Sequence, residues 1–234
     1  MKKLPVFKFA ATVALIMLST NSIAQEVRYS WLDLSYMAQD VDRMGTQVPV
    51  PGQTVDVHAQ DGGGVKFRGS LGLWNNLYLF VDYGSTDIDI EAIVTNNQGS
   101  FPAEDKFDYT SVRGGVGLRI SIGFSTDVYA EVSYDSLDLD HGSFALEDFD
   151  MSEKDIGATV GIRHMLNDNV EVRAYGRYTN VGDVDLNMLA FDSDTLFGAG
   201  IGWELVRGVS FQADYESGEF SSWSVGFRLD LDED

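Results

Sequence analysis

The sequence has no cysteine, and only three histidines and four prolines in 234 residues. Without cysteine there are no disulfides to staple the fold. Stability must come from packing or from closing a sheet on itself. Bases are scarce as well. Sixteen Lys and Arg face 37 Asp and Glu, a formal net charge of −21. So acidic a chain repels nucleic acid, and none is expected as a partner. Beyond the first two dozen residues no apolar run is long enough for a membrane-spanning helix, and no helical period stands out.

The chain opens with Met1-Lys2-Lys3, carries Lys8, and runs apolar from Phe9 to Leu18. Ser22-Ile23-Ala24 then places small residues three and one before a cleavage point. This is the pattern of a secretory signal peptide over residues 1–24, which leaves residues 25–234 as one domain. Removing its three lysines takes the net charge to −24.

What the remainder has in abundance is alternation. Residues 77–83 place Leu77, Leu79, Val81 and Tyr83 on one face, and acids follow at Asp87 and Asp89. The arrangement recurs: Tyr36 precedes Asp40 and Asp42, Tyr134 precedes Asp138 and Asp140, Tyr178 precedes Asp183 and Asp185, and Tyr215 precedes Glu219. Ten period-two runs are predicted as strands: 26–36, 65–74, 77–87, 108–120, 126–137, 155–165, 170–179, 195–205, 209–215 and 223–231. Short turns such as Asn75-Asn76 and Arg207-Gly208 alternate with longer connections at 38–63, 88–107, 138–154 and 180–194, plus a brief one at 216–221. Short turns at one end and longer loops at the other are the plan of an antiparallel up-and-down transmembrane β-barrel of about ten strands, eight being the alternative. The short turns would be periplasmic and the long loops extracellular.

The two faces separate cleanly. One carries Val, Leu, Ile, Phe and Ala. The other carries Lys66, Arg68, Asp82, Arg113, Arg119, Glu131, Asp155, Arg163, Glu171, Arg173, Arg177, Glu204 and Arg228, with Asp33, Asp135, Asp214 and Asp230. One Arg facing lipid near the midplane costs about 2–4 kcal/mol. In a membrane this face must therefore point inward and pair, with Glu131, Glu171 and Asp155 as expected partners of Arg113, Arg163, Arg173 and Arg177. Glycines on the same face, among them Gly115, Gly117, Gly157, Gly161 and Gly198, are expected to leave room for guanidinium chains from other strands. Tyr36, Tyr83, Tyr134, Tyr178, Tyr215, Trp203 and Trp223 are expected to form the aromatic girdle. The reversed polarity, apolar face inside as in a lipocalin, is the soluble alternative.

The last two runs, Gly208-Val-Ser-Phe-Gln-Ala-Asp-Tyr215 and Trp223-Ser-Val-Gly-Phe-Arg-Leu-Asp-Leu231, resemble the closing hairpin of the small outer-membrane barrel family that includes OmpA-, OmpX- and OmpW-like proteins. The resemblance covers the whole mature chain as architecture. It implies a Gram-negative outer-membrane address, contact with outer-membrane lipids and insertion by the barrel-assembly machinery. It implies no particular activity. The chain departs from familiar members in having ten runs rather than eight and in ending Leu231-Asp-Glu-Asp234.

Three chemical readings compete at the outer rim. Asp87 with Asp89, and Asp138 with Asp140, could offer oxygen ligands to divalent cations. A solvated acidic rim explains the same residues. Asp138, Asp140, His141 and Ser143 could assemble a hydrolase, although none of the framework motifs of such enzymes is present. His164 is expected at the lipid face near the periplasmic edge, and His58 has no evident partner. The Gly198–Gly202 and Asp61–Gly64 stretches are not followed by a helix and do not read as phosphate loops. The expectation is a non-enzymatic barrel, without a cofactor, that serves envelope integrity or surface interaction. A narrow pore is the alternative and a rim hydrolase the third reading.

Overall fold

A computed structural model describes residues 27–40, 45–50, 53–74, 76–96, 98–141, 149–181, 184–186, 189–191, 194–218 and 221–231. The signal-peptide reading of 1–24 falls outside them. Every regular element among the described residues is a strand: β1 (Trp31–Asp40), β2 (Gly45–Val50), β3 (Gln53–Gly72), β4 (Leu77–Asn96), β5 (Gly99–Ser121), β6 (Thr126–His141), β7 (Phe149–Asn167), β8 (Val170–Thr179), β9 (Val184–Leu186), β10 (Leu189–Phe191), β11 (Asp194–Val206), β12 (Val209–Ser217) and β13 (Ser221–Asp230).

Ten of these, β1, β3–β8 and β11–β13, close into an antiparallel barrel in chain order. β1 pairs with both β3 and β13 and removes the sheet's open edges. They are the ten predicted runs, in order. The eight-stranded alternative is thereby set aside. β2 lies against the outer half of β3, and β9 and β10 form a separate hairpin. At the short-turn end Gly123 and Gly208 take φ of 86° and 77°, a backbone region that favours glycine.

The wall's polarity is that of a membrane protein. On β1 and β13, Leu34 and Phe227 are 63% and 57% exposed, whereas Asp33 and Arg228 are 1% and 4% exposed. The lipocalin-like polarity is overturned. Inward charges escape lipid, and outward aliphatics meet it.

Two expectations about strand ends need correction. The first strand starts at Trp31, not at residue 26, because residues 27–30 leave the wall and turn into the lumen. The connections at 38–63, 88–107 and 138–154 are largely strand. β4 and β5 stay in register from Leu77↔Leu118 to Asn96↔Gly99, and β6 and β7 from Thr126↔His164 to His141↔Phe149. β4 has 20 residues and β5 has 23, whereas a tilted strand crosses a bilayer in about 9–11.

The apolar runs end at these points because the alternation inverts. Outward positions of β4 pass from Leu79, Val81 and Tyr83 to Asp87 and Asp89, while inward ones pass from Asp82 to the buried Ile88. On β6 the outward positions pass from Tyr134 to Asp138 and Asp140, while inward ones pass from Asp135 to the buried Leu137 and Leu139. Pairing continues through the inversion. A reading keyed to an apolar outer face ends there.

Candidate functional site

The lumen holds the chemistry. Strand pleating sends alternate side chains inward, and a ten-stranded barrel is narrow enough for those of opposite walls to meet. Near the short-turn end Arg28 pairs with Asp230 at 3.2 Å and with Glu204 at 4.0 Å, and Arg119 with Asp127 at 3.6 Å. Glu171 is shared by three guanidinium groups. Arg163 donates two hydrogen bonds to it at 3.1 and 2.6 Å, and Arg173 and Arg228 lie at 3.5 and 3.6 Å. At mid-height Asp214 accepts from both Nε and Nη2 of Arg173, at 2.7 and 2.6 Å, and from Arg68 at 2.7 Å. Arg68 reaches on to Asp33 at 3.0 Å. Higher up Arg113 pairs with Glu131 and Asp135 and donates to Thr159, Arg177 donates to Glu216 at 2.8 Å, and Lys66 lies 3.6 Å from Asp82. Burying a charge is costly unless it is paired and hydrogen-bonded, and the bidentate Arg163–Glu171 and Arg173–Asp214 pairs meet that condition.

The expected pairings are corrected in part. Glu131 and Glu171 are hubs, but Asp155 takes no described ion pair; its carboxylate accepts from the Ile156 amide at 2.6 Å. Asp214 and Glu216 do the work assigned to it, because they lie on β12, whose inward row faces those of β8 and β3. Arg28, Asp127 and Glu216 were missed. Arg28 precedes the wall, and the other two stand at the ends of runs where alternation fades.

The inward glycines mainly accommodate neighbouring-strand side chains rather than guanidinium groups from afar. Tyr78, Tyr129 and Tyr175 are paired in register with Gly117, Gly161 and Gly198, and each ring lies over its glycine. A Cβ there would stand 2.1, 2.5 and 2.1 Å from the three rings. Only Gly200 matches the expectation in part, lying beneath both Asp214 and Arg173. This cover restores the packing that a bare glycine forfeits. The signal was present in sequence: each tyrosine shares the charged face of its strand.

On the outer wall Tyr36, Tyr83, Tyr134, Tyr178, Tyr215 and Trp223 are exposed above the aliphatic belt. Tyr36 and Trp223 rings stand 5.8 Å apart. Trp203 is exposed at the opposite edge, paired with Val170 beside the short turns. Asp87, Asp108 and Asp140 lie in register across three strands, and Asp89 pairs with Lys106 at 3.0 Å. Among the described residues no group of three metal-ligating side chains forms. The side chains of His58 and His141, and Ser143, lie outside the described residues. His164 is not exposed to lipid; it is 3% exposed, and its Nδ1 lies 2.7 Å from Thr126 Oγ1.

A cavity of about 100 Å³ runs along the axis among Tyr29, Tyr78, Arg68, Arg113, Glu131 and Glu216. It can hold a few waters. With this geometry in place, comparison with known proteins assigns the chain to a family. The model of the outer membrane protein beta-barrel domain matches residues 10–232, and the chain belongs to that family. No curated protein matches the sequence. Among solved structures the chain is similar to OprG from Pseudomonas aeruginosa (9% identity, 91% of this chain, 100% of that chain, TM-score 0.45). It is also similar to the NanC porin (8%, 86%, 100%, 0.47) and to Ail of Yersinia pestis, solved with the heparin analogue sucrose octasulfate (12%, 86%, 99%, 0.39). The chain is thus an outer-membrane β-barrel.

Proposed function

We propose that this outer-membrane barrel is non-enzymatic and works at the cell surface, through the sheet that rises above its aromatic rim. The observation that carries this reading is the continuation of β3–β7 past the bilayer as one paired sheet. Its outer face carries Asp87, Asp89, Glu104, Asp108, Asp138 and Asp140. A charge-filled lumen supplies the rigid base. Loops on a rigid barrel are where binding concentrates, and a paired sheet positions a surface more firmly than a loop.

The partners that go with this reading are outer-membrane lipids at the aliphatic belt, the barrel-assembly machinery during insertion, and divalent cations at the acidic rim. Export through a signal peptide cleaved after Ala24 belongs to it as well. Tyr36, Tyr83, Tyr134, Tyr178, Tyr215 and Trp223 act as the girdle on the outer side and Trp203 on the inner. We assign no catalytic role to Asp138, Asp140 or His141.

A second reading, a narrow pore for small solutes, is favoured by the axial cavity. The experiment that separates the two compares cells displaying the parent with cells displaying a barrel whose β4–β5 hairpin is cut back to Ile88 and Phe107. Surface interaction expects loss of attachment to host matrix or to neighbouring cells at equal barrel abundance. Undiminished attachment would sink it.

A further inference from the structure

We infer that residues 27–30 form a plug that closes the inner end of the barrel, held by a clamp of two arginines on Tyr29. Tyr29 is 4% exposed although it precedes the first strand. The guanidinium carbons of Arg119 and Arg163 stand over its ring, 4.5 and 4.6 Å from the centroid, and the ring packs on Tyr78 at 4.8 Å. A cation over the face of an aromatic ring is attractive, the more so away from water.

The backbone is held as well. Arg119 donates to the Val27 carbonyl at 3.1 Å and Arg163 to the Arg28 carbonyl at 2.9 Å. Leu231 N donates to the Ser30 carbonyl at 2.8 Å, and Gly72 N to Ser30 Oγ at 3.2 Å. The same arginines that line the wall thus grip a segment that is not part of it.

The segment lies between two spaces. Tyr29 lines the axial cavity on one side. On the other, Arg28 lines a hollow at the short-turn end with Asn169, Glu204 and Arg207. Arg28 is fixed there by Asp230 and Glu204. No wall strand would have to break for the segment to leave; the ten-strand ladder closes through β1 and β13 from Trp31 onward. Withdrawal of four residues would join the cavity to the inner hollow and offer small inorganic ions a way in. The plug is an autoinhibitory contact within the lumen and does not depend on the surface reading.

The test is single-channel recording in planar bilayers with potassium chloride, using refolded protein whose mobility shifts on boiling. The parent and Tyr29→Phe, which keeps the ring, are expected to be silent. Tyr29→Ala is expected to give discrete steps. A folded Tyr29→Ala barrel that stays silent, or a parent that conducts like the variant, overturns the proposal. Should Tyr29→Ala not fold, the absence of native cysteine supplies a second measurement. Ser70→Cys places a single thiol in the axial cavity, and its labelling by a membrane-impermeant thiosulfonate from the inner side is expected to accelerate in an Arg163→Met background. Equal labelling rates with and without Arg163→Met overturn it equally.

Discussion

Tyr78 lies across Gly117 of the adjoining strand so closely that a Cβ on Gly117 would stand 2.1 Å from the ring. The same phenol donates to Glu131 at 2.9 Å, so the glycine fixes where the hydroxyl points. Gly117→Ala should displace the ring and cost about 1–3 kcal/mol, the usual range for overpacking. Urea unfolding in lipid vesicles measures it. In a Tyr78→Ala background the penalty should largely vanish, since the clash has lost its partner. An unchanged penalty there would falsify the packing account.

Asp214 is the acceptor on which two buried arginines depend. Asp214→Leu should leave Arg68 and Arg173 short of a counter-charge and destabilise the barrel by about 3–5 kcal/mol. Lys66→Met, which removes the looser 3.6 Å contact to Asp82, should cost clearly less. The two variants are compared by equilibrium unfolding under identical lipid conditions. Equal costs would show that the Asp214 hub has no special standing.

Val116 is 52% exposed on the outer wall, midway between the Tyr83 level and the short turns. Val116→Arg should cost about 2–4 kcal/mol in a bilayer, the range for a lipid-facing Arg near the midplane. In detergent, where the head group can reach water, the penalty should shrink. A cost of the same size in both media would argue against lipid contact at this position.

The β4–β5 hairpin should be separable from the barrel. Beyond Ile88↔Phe107 its strands pair, among the described residues, only with each other and with β3, while the ten-strand ring is complete nearer the membrane. Replacing residues 89–106 by a two-residue turn should preserve insertion and the boiling-dependent gel shift. Failure to insert would mean that the outer sheet is required for folding.

The sequence by itself determined the ten runs and their order and gathered most of the charges on one face of the wall, while closure as ten strands rather than eight, and that face pointing inward, were decided by the structure. The runs and their order follow from a period of two and from short turns with fixed chemistry; the inward face answers the cost of placing Arg against lipid. The sequence also located Tyr83 and its counterparts at the level where the aliphatic belt ends. It did not reveal that the strands run on beyond that level. Past Tyr83 the polar and apolar sides exchange, and a pattern without a reference solvent cannot distinguish an inverted strand from a loop.

Only the tertiary structure decided which charges meet. Arg173 and Asp214 are 41 residues apart, and Arg68 and Asp214 are 146 apart. Closure of the sheet, not spacing along the chain, brings them together. The tyrosine-over-glycine pairs depend on register, which local alternation leaves free. The contact of Tyr29 with Arg119 and Arg163 depends on a turn into the lumen, whereas the alternation at residue 26 simply reads as the start of a strand.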